Sequence, residues 1–275
     1  MRSDQRPIGV FDSGVGGLTV AAAIRRVLPG ETICYLGDLL HLPYGSKSSR
    51  AVIDFTRAAA RFLVDKDIKM LVVACNTATS IALDLIAGEA GIPVLGVIEP
   101  GARAACAVTR NGRVGVIGTT RTMESGAYAA ALTAIDPSIR TFQTATPLLV
   151  PLIEEGWVSH PVFREVLDEY LLPLRDRHID TIVLGCTHYP LAGRAIGEAL
   201  PGVTVVDSAE TTARETAAVL RENGLCSWGG RAEYRIFLTD YTENFRTVGE
   251  RILQGTMEHI RTIHLSYAEG EIEYR

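Results

Sequence analysis

Short runs of Ile, Val and Leu, each four to six residues long and ending in Gly or a polar residue, recur along the chain. Between them lie longer stretches rich in Ala, Leu, Arg and Glu. Unbroken apolar runs of this length fit strands covered on both faces, and their alternation with helical stretches predicts βαβ units in a parallel sheet. The expected strands are residues 8–11, 32–36, 70–74 and 92–97, then 113–117, 140–144, 181–185 and 203–206. After residue 208 the pattern changes to a long helical stretch at 209–223, an alternating strand at 234–239 and a helix near 243–253.

The two sets of four strands superimpose. IGVFDS at Ile8 matches VGVIGT at Val114, MLVVACNT at Met70 matches TIVLGCTH at Thr181, and IPVLGV at Ile92 matches VTVVDS at Val203. Asp12 and Cys75 are 63 positions apart, Gly118 and Cys186 are 68 apart, and each cysteine lies 19 positions before Val94 or Val205 in the following strand. A fixed order at near-equal spacing points to duplication. The fold class expected is therefore α/β: two similar, doubly wound lobes with mainly parallel sheets, pseudo-twofold related and facing each other across a cleft. The tail matches neither half and is expected to pack back on one lobe.

Composition narrows the functional classes. A chain of 275 residues, 47% hydrophobic, buries enough surface to need no disulfide or metal staple. A net charge of −5 disfavours nonspecific grip on nucleic acid or on anionic membranes, so the expected partner is a small molecule. No apolar run reaches the roughly 18 to 20 residues of a membrane span, and the first seven residues are too short and polar for a secretory signal, so a cytoplasmic location is expected. The five cysteines form an odd set without CxxC spacing, which fits reduced thiols better than disulfides or a zinc site.

Candidate chemistry gathers at two of those cysteines. Cys75 and Cys186 each stand where an apolar strand ends and a helical segment begins, the side of an α/β sheet where ligands bind. A helix N-terminus there is expected to lower a thiol's pKa and favour the thiolate. The bland alternative is inert burial, the usual fate of a cysteine beside an apolar strand, and it suits Cys34, Cys106 and Cys226. Cys75 and Cys186 differ in occupying equivalent places in the repeat, each followed by hydrogen-bonding side chains. One thiol on each wall of a cleft suits proton transfer at the two faces of a carbon, one as base and one as acid. A gap of ~10 pK units between thiol and carbon acid is about 14 kcal/mol, so oriented donors in a dry site must stabilise the carbanion-like state.

Around the thiols, Asp12 and Ser13 open a Gly-rich turn that lacks the dinucleotide GxGxxG spacing, and Asp12 suits a substrate ammonium or a nearby base. Thr119 and Thr120 end the matching strand of the second half and are candidate carboxylate ligands. Tyr44 and Gly45 fall in a turn after Pro43. His188, two residues beyond Cys186, is placed to polarise that thiol, whereas the other histidines are assigned solvated or structural roles.

From Ile8 to about Leu253 the chain resembles the bacterial glutamate racemases of the aspartate/glutamate racemase superfamily. The resemblance rests on FDSGVGGLTV, YLGD, PYG, VVACNTA, GVIEPG, VGVIGTT, LVPLIEEG and LGCTHYP. In related amino-acid racemases the residue after Cys-Thr is often acidic, and His188 is similar to the glutamate enzymes. The resemblance implies cofactor-independent, two-base interconversion of L- and D-glutamate, supplying D-glutamate for peptidoglycan. It implies Cys186 as the base for the L-isomer and Cys75 for the D-isomer, with Asp12 assisting Cys75 and with His188 and Glu154 assisting opposite. Ser13, Tyr44, Gly45, Asn76, Thr77 and Thr187 would hold the substrate. It further implies lobes of residues 1–98 plus 208–275 and 99–207, and a homodimer. The segment before Ile8 is short, which gives no support to a nucleotide-precursor activator site. Alternative readings are a racemase of another small acid such as aspartate, a hydantoin or maleate, a noncatalytic amino-acid-binding protein, and a thiol-redox protein.

Overall fold

A computed structural model of the chain describes residues 3–227 and 232–265. The ends of the first expected lobe, residues 1–2 and 266–275, lie outside the described residues, as do 228–231. The first half runs β1 (Ile8–Asp12), α1 (Leu18–Val27), β2 (Ile33–Gly37), α2 (Ser49–Val64), β3 (Met70–Val73), α3 (Asn76–Glu89) and β4 (Val94–Gly96). Helix α4 (Ile98–Val108) leads into β5 (Arg113–Gly118), α5 (Thr120–Glu124), α6 (Ala127–Ile135) and β6 (Arg140–Ala145). Then come α7 (Leu149–Glu154), α8 (Pro161–Arg175), β7 (Thr181–Gly185), α9 (Gly193–Ala199) and β8 (Thr204–Asp207). The tail forms α10 (Ser208–Glu222), β9 (Tyr234–Leu238), α11 (Glu243–Leu253) and β10 (Ile260–Thr262).

These strands make two sheets, ordered β10-β9-β2-β1-β3-β4 and β6-β5-β7-β8. Every pairing is parallel. The order β2-β1-β3-β4 in one sheet is repeated as β6-β5-β7-β8 in the other, so the motif matches read from the sequence correspond to equivalent strands, and β2 with β6 completes the set. The tail extends the first sheet at its β2 edge.

Alternation along each strand sends side chains to opposite faces, and both faces are covered. In the first sheet Ile8, Val10, Ile33, Tyr35 and Val72 pack under α1, α10 and α11, while Phe11, Leu36, Leu71 and Val73 pack under α2 and α3. In the second, Ile182 and Leu184 meet α7, α8 and α9, while Val114, Val116 and Val183 meet α4 and α6. Helix starts follow local chemistry: Ser48 caps α2 by accepting from Ala51 N, and Thr242 caps α11 by accepting from Phe245 N. Pro161 opens α8, where a missing N–H costs nothing.

One buried ion pair pins the outer end of the first sheet. Lys69 Nζ meets Glu31 Oε2 at 2.6 Å with both side chains enclosed, and also donates to the Asp4 carbonyl at 2.8 Å. Glu31 Oε1 accepts from Ser227 N at 2.8 Å, so the pair ties the chain start and the loop after α10 to the sheet. Among the described residues no helix is long and apolar enough to cross a membrane, and no three His, Cys, Asp or Glu side chains cluster to hold a metal.

Candidate active site

The carboxyl ends of β1, β3, β5 and β7 converge where the sheets face each other. Strand β1 delivers Asp12, whose Oδ2 accepts from the N–H groups of Gly14 and Gly17, each at 3.0 Å, folding the Gly-rich turn around the carboxylate. A Cβ at Gly17 would overlap Asp12 Cβ, so this close approach requires glycine. Across the interface Thr187 Oγ1 donates to Asp12 Oδ1 at 3.4 Å and Thr19 Oγ1 donates to the Thr187 carbonyl at 3.2 Å. A Cβ at Gly16 would collide with Thr187 Oγ1 and come 2.6 Å from His188 Nδ1, which measures how tightly the lobes abut.

Strand β3 delivers Cys75, the N-cap residue of α3. Its Sγ lies 3.5 Å from Ser13 Oγ. The helix-start expectation of a lowered thiol pKa is overturned here: burial, reinforced by the neighbouring Asp12 charge, pushes Cys75 up to about 12, against the favourable hydrogen bonds of the Ser13 hydroxyl and the Ala78 N–H. A helix terminus supplies a partial charge, whereas full enclosure removes all the water that would solvate a thiolate. Asp12 is itself raised by burial, opposed by His188 and its own hydrogen bonds.

Strand β7 delivers Cys186, followed by a short 3-10 turn at Tyr189–Ala192 rather than by an α-helix, so the terminus expected there from the repeat is weak. His188 is the stronger influence. Its Nδ1 lies 3.8 Å from Cys186 Sγ and its Nε2 lies 2.9 Å from Glu154 Oε1, at the end of α7. Burial opposes the imidazolium, but the Cys186 sulfur and the Glu154 carboxylate outweigh it and raise His188 to about 10.

Ser13, Tyr44, Gly45, Cys75, Asn76, Thr77, Thr119, Cys186, Thr187 and His188 line one inner cleft, together with Leu42, Pro43 and Val150. Its volume is about 30 Å³, room for a couple of water molecules. The sequence-predicted residues outside it are placed as follows. Thr120 is exposed on the first turn of α5 and lines an outer cavity of about 440 Å³, with Glu154, Arg121 and Pro151. Leu42, Pro43, Gly45, Thr119 and Val150 border both spaces, so the outer cavity is a vestibule. The turn at Tyr44 is a 3-10 helix, Tyr44–Ser46, after a cis Leu42-Pro43 bond. The Tyr44 hydroxyl is donated to Asp38 Oδ2 at 2.6 Å, and Asp38 also holds His41 and Thr239. Cys34, Cys106 and Cys226 do not line the cleft.

Two buried residues that sequence reasoning missed lie behind the lining, bonded to Thr77, Thr119 and Asn76. Thr122 Oγ1 lies 3.2 Å from Thr77 Oγ1 and 3.0 Å from Thr119 Oγ1, and Thr77 and Thr119 are 3.0 Å apart, so three hydroxyls join the two lobes. Tyr128 accepts from Asn76 Nδ2 at 2.8 Å. Thr122 is signalled only by its place three residues after the helix-capping Thr119, and Tyr128 only as a polar aromatic in an Ala-rich helix.

Two similar α/β lobes thus present one thiol each to a single cleft between facing sheets. The chain belongs to the Asp/Glu/hydantoin racemase family, whose model matches residues 18–216. It is 48% identical over 263 residues to the glutamate racemase of Neisseria meningitidis, covering 95% of this chain and 97% of that protein. Among solved structures it is similar to a glutamate racemase isoform from Bacillus anthracis, with a TM-score of 0.92, 40% identity and coverage of 95% and 98% of the two chains. It is also similar to the glutamate racemase of Francisella tularensis in complex with D-glutamate, with a TM-score of 0.90, 38% identity and coverage of 96% and 98%.

Proposed function

We propose that the chain is a glutamate racemase in which Cys186 and Cys75 exchange protons at opposite faces of the substrate's Cα. The observation that carries this reading is the pairing of the two thiols, delivered by equivalent strands β7 and β3 to one cleft. Near-full-length likeness to glutamate racemases supports glutamate as the substrate.

In the L-to-D direction the Cys186 thiolate takes the Cα proton, and the electron pair of the broken C–H bond remains on carbon, delocalised into the α-carboxylate. The Cys75 thiol gives its proton to the other face, leaving D-glutamate, a Cys186 thiol and a Cys75 thiolate. The D-to-L direction reverses each transfer. Support comes from the charge pattern: His188, raised to about 10, places an imidazolium 3.8 Å from the Cys186 sulfur, while burial keeps Cys75 protonated and ready to act as acid. Asp12 assists at Cys75, and Glu154 holds His188. Ser13, Asn76, Thr77, Thr119, Thr187 and the Tyr44–Gly45 backbone hold the carboxylates and ammonium, with Thr120 serving at the vestibule. We assign residues 1–98 plus 208–275 and 99–207 as the lobes, and read the chain as a cytoplasmic homodimer supplying D-glutamate for peptidoglycan.

The test is incubation with L-glutamate in deuterated water, without pyridoxal phosphate, followed by circular dichroism and mass spectrometry, with L-aspartate as control. Loss of optical rotation with one deuterium in each D-product is expected for glutamate. Unchanged rotation and no deuterium would overturn the assignment, and faster turnover of aspartate would overturn the substrate.

A further inference from the structure

Tyr128 stands where both lobe-to-lobe connections cross, and it is fully buried. Helix α4 carries the first connection, and a Cβ at Gly101 would lie 3.5 Å from Tyr128 Cε1 and 3.6 Å from its hydroxyl. Helix α10 carries the return, and its first residue, Ser208, meets the same spot: that Gly101 Cβ would also lie 3.5 Å from Ser208 Cβ. The ring also underlies Gly185, immediately before Cys186, where a Cβ would come 3.0 Å from Cε2. From the other lobe, Asn76 Nδ2 donates to the phenol oxygen at 2.8 Å.

Asn76 follows Cys75 directly, lines the inner cleft and is 3% exposed. With Nδ2 committed to Tyr128, its Oδ1 has no hydrogen-bond partner among the described residues. A buried acceptor without a donor is costly and uncommon, and in a ligand cleft it marks the place of an N–H group. We propose that Tyr128 is a positioning residue for the substrate ammonium: its hydroxyl holds Asn76 Nδ2 and leaves Oδ1 as the acceptor that a cationic N–H group completes. The opposite amide orientation would present a donor to a cation, which is repulsive. Because the Asn76–Tyr128 bond crosses from one lobe to the other, the acceptor is correctly turned when the lobes are in this closed relation.

This inference rests on the amino-acid reading of the cleft, and the test separates the two. Tyr128→Phe removes one oxygen while keeping the ring under Gly185. Affinities for D-glutamate and for glutarate, which keeps both carboxylates and lacks the ammonium, are measured by titration calorimetry, alongside KM and kcat. The variant is expected to bind glutamate about tenfold more weakly and to raise KM similarly, with kcat within about threefold and glutarate affinity unchanged. In an Asn76→Ala background the same change is expected to have no further effect. Glutamate affinity within twofold of the parent, an equal loss for glutarate, or an equal loss in the Asn76→Ala background would each overturn the proposal. A parent that binds glutamate without racemising it would overturn the function while the affinities still decide Tyr128. A parent that binds no glutamate would overturn both.

Discussion

Replacing Glu154 by Gln removes the charge that faces His188 while keeping the shape of the side chain. The parent pair is 2.9 Å apart, with the imidazole 4% exposed and the carboxylate 21% exposed. His188 is raised from the ordinary 6.5 to about 10 against its own burial, with the Cys186 sulfur the larger favourable influence and Glu154 the next. A hydrogen bond to a charged group contributes about 1.5 to 3 kcal/mol, and the partial exposure of Glu154 keeps its share within that range. At 1.36 kcal/mol per decade, His188 in the variant should lose its proton roughly one to two pH units lower. Its folded pKa lies above its unfolded one, so the imidazolium's contribution is complete below about 6.5 and is lost as the pH rises through about 10. The assay is kcat/KM from pH 6 to 11 by circular dichroism. The alkaline limb should move from near 10 to about 8 to 9, with activity at pH 7 reduced about tenfold or less. Because L- and D-glutamate have equal free energy, kcat/KM must change identically in both directions, a check on the data themselves. Thermal melts should show the deficit in variant stability narrowing between about pH 8 and 10. An alkaline limb that stays at the parental pH would refute the role given to Glu154.

Three further outcomes test other parts of the structure. Cys75→Ser and Cys186→Ser should each lower kcat by about a thousandfold or more with melting temperatures near the parent's, whereas Cys106→Ser and Cys226→Ser should stay within about twofold; an active Cys75→Ser would remove that thiol from the chemistry. Gly16→Ala should place a methyl against Thr187 and His188 and hold the lobes apart, lowering kcat/KM by about a hundredfold, and parental turnover would show that this contact is not needed. Lys69→Met should strand Glu31 without its partner, costing about 3 to 5 kcal/mol and lowering the melting temperature by on the order of 10 °C in differential scanning calorimetry; a change under about 2 °C would contradict the burial argument.

Most of the scaffold was legible because fully covered strands leave an unambiguous apolar signature, and nine of the ten strands among the described residues fall where that pattern put them. The exception, β10, is three residues long with Arg261 and Thr262 exposed, so nothing in its composition separates it from a loop. The thiols were legible because duplication marks equivalent strand ends. Their electrostatics were not, since the protonation of Cys75 depends on burial in the assembled fold and on the nearby Asp12, which no local spacing encodes. Thr122 and Tyr128 were missed for a related reason: their partners, Thr77 and Asn76, come from another lobe about 50 residues earlier. Tyr44 was found at the right place but with its hydroxyl turned to Asp38, because that carboxylate also gathers His41 and Thr239 into one knot behind the cleft.

On the proposed two-thiol reaction, an inner cleft of about 30 Å³ would give the closed lobes an isotopic memory. A thiol that takes hydrogen from Cα has no bulk water beside it with which to trade, so it hands back the same atom if the carbanion returns to its starting face. In deuterated water the product therefore carries the solvent's isotope from the opposite thiol, while recovered substrate keeps its original hydrogen. Deuterium in the recovered substrate, read early in the reaction, would show a thiol trading its hydrogen with solvent before return, and its absence is the expected result.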